Sequence, residues 1–223
     1  MSETNGTPAT NGPKTTGPKT NGPNGTAFVL HAHPCGDSFN RALFDTTVKA
    51  LGRGGWHVDA CDLYAEGFDP VMSEADRREY HDLAINRSRV APYVDRLQAA
   101  RALVLVFPVW NYGFPAIMKG FFDRVFLPGV SFTMDGGEGP DRGTLRGALH
   151  NVERLAAVTT YGGDRMRTFL AGNPPKRFVK RAVRAVVHPK ARTRYLALHD
   201  MNNATSEDRA AFVAKVGREM AAL

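Results

Sequence analysis

LVLVFPVWNYGFPAIMKGFFDRVFLPGVSF, residues 103–132, decides how this chain folds. LVLVF is a short unbroken apolar run, as expected of a strand covered on both faces. Pro108 is expected to stop that strand. Val109 to Gly113 then mixes two aromatic rings, a side-chain amide and a permissive glycine. Pro115 falls at the first turn of a helix, where its missing N–H costs nothing. That helix, Ala116 to about Leu127, carries Ile117, Phe121, Phe122, Val125 and Phe126 at helical spacing, with Lys119, Asp123 and Arg124 between them. An aromatic loop therefore sits at the carboxyl end of a buried strand, where open α/β sheets bind ligands. The plainer alternative is that its Trp and Tyr only cover the core.

The same alternation continues on both sides of this stretch. Upstream, Ala27–Ala32 reads as a strand that feeds the loop 33–38, with a helix from Phe39 or Asn40 to the glycines at 52, 54 and 55. A hydroxyl and unpaired amides at a helix start favour an anion, although Ser38 serves equally well as a simple cap. A second strand covers 56–63. Ser73-Glu74-Ala75-Asp76 resembles a capping box, and a helix over about 90–100 leads back to the central strand. Downstream, the Gly- and charge-rich stretch over 131–147 reads as an excursion containing a small hairpin. A fourth strand spans about 155–159 and ends in the loop Thr160-Tyr161-Gly162-Gly163-Asp164. A basic helix follows Pro174-Pro175, then a strand over 194–198 and a last helix from about Ser206. Five β-α units imply a parallel sheet with helices on both faces. The expected form is the flavodoxin-like doubly wound α/β fold with strand order 2-1-3-4-5, in which loops 33–40, 108–113 and 160–164 converge.

Composition narrows the functional classes. With 223 residues and 43% hydrophobic content, one domain over 26–223 is expected, preceded by an Asn/Gly/Thr/Pro tail over 1–25 with no apolar face to bury. No run spans a bilayer and no leader is evident, so a cytoplasmic protein without stable membrane insertion is expected. Cys35 and Cys61 form no disulfide framework or metal spacing, and no His/Asp constellation makes Cys35 a nucleophile. The net charge of +7 is uneven: Arg165 to Arg194 holds ten Lys and Arg and no acid. No nucleic-acid motif accompanies it. The interleaved Phe178, Val179, Ala182, Val183 and Val186 suit a helix with a wet basic face, which places Arg177, Arg181 and Arg184 in solvent.

HAHPCGDSFNRAL at 31–43, GWHVDACDLYAEGFDP at 55–70, the stretch 107–132 and VTTYGG at 158–163 resemble the NAD(P)H:quinone oxidoreductase (DT-diaphorase-like) family of flavodoxin-like flavoproteins. The resemblance covers nearly the whole chain after residue 26. It implies a flavin at the carboxyl edge of the sheet in a homodimer. It places His33, Ser38, Phe39 and Asn40 around the flavin phosphate and Pro108, Val109, Trp110, Asn111 and Tyr112 along the ring. Thr159, Thr160, Tyr161, Gly162 and Gly163 then lie on the other side. The 73–100 segment is short and lacks a counterpart of the region that touches the adenine of FAD, which favours FMN, with FAD the alternative. The family's proton-assisting histidine has no match in Asp164-Arg165-Met166-Arg167, so no catalytic side chain is assigned. The activity implied is hydride transfer from NAD(P)H, as co-substrate, through flavin to a small-molecule acceptor: a quinone, azo or nitro compound. Since the flavin itself takes and gives the hydride, no protein nucleophile is required. An ancillary nucleotide- or flavin-sensing subunit of a transporter is the alternative, and a one-electron carrier fits the basic charge less well. Arg165 and Arg167, next to the 160–164 loop, are the expected contacts for a 2′-phosphate. Phe114, Phe121, Phe122, Phe126 and Phe132 are the expected two-fold interface.

Overall fold

The computed structural model describes residues 22–134 and 143–223. Its elements, in chain order, begin with β1 (Thr26–His31), α1 (Phe39–Arg53), β2 (His57–Asp62), α2 (Glu74–Arg78) and α3 (Ala91–Ala99). There follow β3 (Ala102–Val109), α4 (Ala116–Val125), β4 (Phe132–Met134), β5 (Leu145–Gly147) and β6 (Arg154–Tyr161). The chain closes with α5 (Arg165–Leu170), α6 (Pro174–Arg177), a π-helical stretch (Phe178–Val183), α7 (Arg184–Val186), β7 (Arg192–Leu198) and α8 (Ser206–Ala221). The main sheet is parallel in the order β2-β1-β3-β6-β7, the doubly wound arrangement the alternation implies. Its three inner strands are buried along almost their whole length. One face of the sheet packs on α3, α4 and the π stretch, through Val94, Met118, Phe121 and Val179. The other packs on α1 and α8, through Leu43, Leu51, Phe212 and Val216.

Three boundaries differ from the sequence expectation for identifiable reasons. Pro108 does not end β3, which continues to Val109. Val106 accepts from Ala32 on the β1 side, and alternation turns Pro108 to that same side, beyond the last β1 rung. Its missing N–H therefore leaves no gap in the ladder. β6 likewise runs to Tyr161, because β3 flanks it to its end and β7 as far as Thr160. Of the expected tail, residues 1–21 lie outside the described residues. The last four are held: Asn24 donates to the Gly55 and Gly54 carbonyls at 3.2 and 2.7 Å, through its backbone and side chain respectively. The expected hairpin is present as the antiparallel β4–β5 pair, while positions 135–142 lie outside the described residues. The Ser73 capping box is formed with Asp76, as its spacing suggests.

The expected aromatic interface is corrected in part. Phe121 and Phe122 lie inside the core. Phe122 packs against Phe114 at 5.4 Å, Phe126 at 5.0 Å and Phe178 at 4.8 Å between ring centroids. Much of the ring surface on this helix is used within the chain.

Candidate functional site

Three connections meet at the carboxyl edge of β1, β3 and β6. The His33 ring lies edge-on to Trp110, with centroids 5.7 Å apart. On the other flank, a Cβ at Gly163 would stand 3.9 Å from the Tyr112 hydroxyl. Between the second and third connections is a cavity of about 300 Å³, lined by Val109, Asn111, Tyr112, Tyr161, Gly162 and Gly163. All six belong to the expected set. The convergence follows from the strand order, since the crevice opens where successive connections leave on opposite faces.

The turn after β3 is held open by its own backbone. Asn111 and Tyr112 both take left-handed conformations, at φ 48° and 59°. Trp110 N–H donates to the Gly113 carbonyl at 3.2 Å, and Gly113 N–H returns the bond at 2.8 Å. This is the two-residue, doubly left-handed geometry of a tight hairpin. In a tyrosine that conformation carries strain of about 1–3 kcal/mol. It leaves Trp110 and Tyr112 41% and 43% exposed beside the cavity, two flat surfaces suited to a planar ring.

The start of α1 supplies the charged end of the site. Ser38 caps the helix, its hydroxyl accepting from Arg41 N–H at 3.1 Å. The Phe39 and Asn40 amides find no acceptor among the described residues. Asn40 is 3% exposed, and neither its carboxamide oxygen nor its nitrogen has a partner. Unpaired amides at the positive end of a fifteen-residue helix favour an anion, and an orphaned buried carboxamide calls for a partner from outside the chain. Nearby, burial holds the His31 imidazole below the usual histidine range, despite Asp62 Oδ2 at 3.2 Å. Asp62 also accepts from Arg41 at 3.2 Å.

Not every expected residue reaches the cavity. Thr159 and Thr160 are buried within β6, and Pro108 within β3; none of the three lines it. Phe39 packs partly against the α1–α8 core. Arg167, expected beside this loop, does line the cavity, and Thr168 and Asn202 line it without having been anticipated. Asn202 comes from the β7–α8 connection, which is tied to the third loop by Asp200 N–H to the Gly163 carbonyl and Met201 N–H to the Tyr161 carbonyl, each 3.0 Å.

The stretch Asp164-Arg165-Met166-Arg167 after β6 offers no histidine, yet the fold brings one there from further along the chain. His199, just beyond β7, stacks on Tyr161 with centroids 4.4 Å apart and planes at 15°. Its Nδ1 lies 3.4 Å from the Thr168 hydroxyl. The Tyr161 hydroxyl bonds Tyr195 at 2.6 Å and donates to Asn173 Oδ1 at 2.7 Å. Burial raises the Tyr161 phenol above its ordinary value and lowers His199 below its own. The signal was positional: a His-Asp pair directly after the last strand falls on the ligand-binding edge of the sheet.

A family model described as flavodoxin-like fold matches residues 26–216. NAD(P)H dehydrogenase [quinone] 1 of Cavia porcellus is 33% identical over 156 residues, which cover 63% of this chain and 54% of that protein. Ribosyldihydronicotinamide dehydrogenase [quinone] of Homo sapiens is 31% identical over 166 residues, covering 67% and 69%. The chain thus spans about half the length of the first of these relatives. Among solved structures, an FMN-dependent NADH-azoreductase from Bacillus anthracis, in complex with FMN, superposes with a TM-score of 0.68. The two are 13% identical, over 89% of this chain and 98% of that one. With its sheet order and its three converging loops, the chain belongs to the flavodoxin-like fold family, and its sequence similarity within that family runs to quinone dehydrogenases.

Proposed function

We propose that this chain is a flavin-dependent NAD(P)H oxidoreductase that reduces quinones or related azo and nitro acceptors, with FMN as its flavin. The observation that carries the reading is the pairing of an anion-ready α1 start with two exposed rings on the strained turn at 110–113, at one end of the sheet. The Phe39 and Asn40 amides bind the flavin phosphate, and Trp110 and Tyr112 flank the ring system. His33, edge-on to Trp110, fixes the inner wall. Bound flavin supplies the hydride chemistry, and the protein binds, orients and excludes water. Among the described residues no group of His, Cys, Asp and Glu is arranged to hold a metal ion. The sequence names of the quinone dehydrogenases and the azoreductase's bound FMN support the reading by analogy. Two measurements test it: chromatography of flavin released from the purified protein, and steady-state NADPH oxidation with a quinone and an azo dye. FMN and turnover are expected. FAD would overturn the cofactor choice, and a colourless, inactive protein the whole proposal.

For nucleotide preference the geometry separates the two arginines. Arg167 lines the ring cavity, paired loosely with Asp164 at 3.5 Å, whereas Arg165 lines a neighbouring one. Arg167 is accordingly assigned to the 2′-phosphate of NADPH. A charge-assisted contact is worth about 1.5–3 kcal/mol. Arg167→Ala should therefore cut the NADPH/NADH ratio of kcat/KM by roughly ten- to a hundredfold. An unchanged ratio in this variant removes Arg167 from nucleotide choice.

A homodimer also belongs to the proposal. Met134 and Leu145 are 53% and 54% exposed on the β4–β5 hairpin, beside the half-buried Phe132. Apolar surface of this kind on a two-stranded excursion suits an isologous contact. Sedimentation at micromolar concentration is expected to show a dimer that Met134→Lys weakens. A monomeric wild type refutes it.

A further inference from the structure

A cavity of about 630 Å³ lies between α5, the helical stretch over 174–186, the edge strand β7 and α8. Six cations line it: Arg165, Lys176, Arg177, Lys180, Arg181 and Lys215. No Asp or Glu does, and none of the six side chains has an ion-pair or hydrogen-bond partner among the described residues. Two other arginines of the segment are engaged. Arg184 donates to the His188 carbonyl at 3.2 Å, and Arg194 pairs with Glu219 at 3.6 Å. Arg177 and Arg181 are exposed, as expected of a wet face, and that face edges a concavity. Like charges repeated at i and i+4 along one helix face oppose one another, so the arrangement lacks its counter-charge.

The rest of the cavity also suggests a ligand. The chain turns π-helical over Phe178–Val183, the stretch that carries Lys180 and Arg181. Such stretches are rare and recur at functional sites. The floor is fixed by the Tyr195–Tyr161–Asn173 hydrogen-bond chain. At the rim Phe169 is 78% exposed, an aromatic face open to stacking. The cavity is distinct from the ring site. Thr168 borders both, with the stacked Tyr161–His199 pair between them.

We propose that this cavity is a second binding site, for a nucleoside diphosphate or similar ligand with adjacent phosphates on an aromatic base. The Lys and Arg side chains hold the phosphates, the guanidinium groups bidentately, and Phe169 stacks on the base. The volume suits one small ligand, and its concavity favours such a ligand over a flat membrane or a nucleic-acid duplex.

The test is calorimetric titration of the full purified chain with ADP, pyrophosphate and sulfate at constant ionic strength. One ADP per chain is expected, bound more tightly than pyrophosphate, with sulfate a weak competitor. Arg177→Gln/Arg181→Gln should weaken ADP at least tenfold and flatten its salt dependence, with flavin content and turnover unchanged. Phe169→Ala should weaken ADP and leave pyrophosphate unaffected. Lys215→Gln, on α8, provides a second charge variant should the double variant fold poorly. Equal ADP affinity in wild type and the charge variants overturns the proposal. So does sulfate that displaces ADP as well as pyrophosphate does, or binding to anionic lipid vesicles or RNA with none to ADP. ADP acting as a competitive inhibitor of NADPH overturns a separate site, since the cavity then belongs to the co-substrate.

Discussion

Gly120→Ala is expected to lower the unfolding midpoint by roughly 4–8 °C. The cause is a close approach between α4 and the segment before α2. A Cβ at Gly120 would lie 2.5 Å from Pro70 Cα and closer still to the Pro70 carbonyl oxygen. These are mostly backbone atoms, and they cannot rotate aside. The segment is also clamped one helical turn further on. Arg124 is buried, donates to the Asp69 carbonyl at 2.5 Å, and pairs with the Asp69 and Asp76 carboxylates at 3.2 and 3.3 Å. Overpacking of this kind costs about 3 kcal/mol at the upper end, and alanine's better helix propensity returns about 1 kcal/mol. The net of about 2 kcal/mol converts at roughly 2–4 °C per kcal/mol for a domain of this size. Gly52 supplies the opposite sign. It lies in α1 and a Cβ there meets nothing within 4 Å, so Gly52→Ala should raise stability by up to about 1 kcal/mol. Thermal unfolding of both variants checks the argument. A Gly120→Ala protein as stable as wild type shows that segment 69–76 moves freely away from α4.

Gly120 and Arg124 also mark where sequence reading stops. Periodicity placed α4 to within two residues of its end and identified its buried stripe, because both depend on local spacing alone. The same periodicity put Arg124 among the wet positions. It could not register that Asp69 and Asp76, 55 and 48 positions upstream, would fold over that face with their carboxylates. The sheet order and the convergence of three loops were legible because they follow from counting β-α units. Asn202 and His199 were not, since both come from the β7–α8 connection and meet the site only through tertiary contact. The fourth strand's end erred in the other direction: a boundary set two residues early turned the buried strand positions Thr160 and Tyr161 into apparent loop. The strain at Asn111 and Tyr112 had no signal either, as an Asn-Tyr pair does not announce a doubly left-handed turn as Asn-Gly does.

Asn40→Asp is expected to strip the protein of its flavin while leaving the fold in place, on the proposed reading of the α1 start. Asn40 is the second residue of α1, next to amides with no acceptor among the described residues, and its own carboxamide is buried without a partner. An unsatisfied buried amide costs about 1–3 kcal/mol, which a phosphate accepting from it would offset. Asn40→Leu removes that penalty together with the donor. The flavin-free variant should therefore unfold at the same temperature as the flavin-free wild type or higher, while flavin binding weakens by roughly ten- to a hundredfold, the value of one hydrogen bond to a charged group. Asn40→Asp adds a negative charge beside the phosphate and should weaken binding by a further factor of about ten or more, since two like charges a few ångströms apart repel by a few kcal/mol at an effective dielectric near 20. Fluorescence titration of flavin-free protein with FMN, run beside thermal unfolding, gives both readouts. A purely structural role for Asn40 predicts that stability and affinity fall together. The anion-site role predicts that they separate, with Asn40→Leu stable but weakly binding and Asn40→Asp weaker again. Wild-type affinity in Asn40→Asp would place the phosphate elsewhere and detach the α1 start from the cofactor.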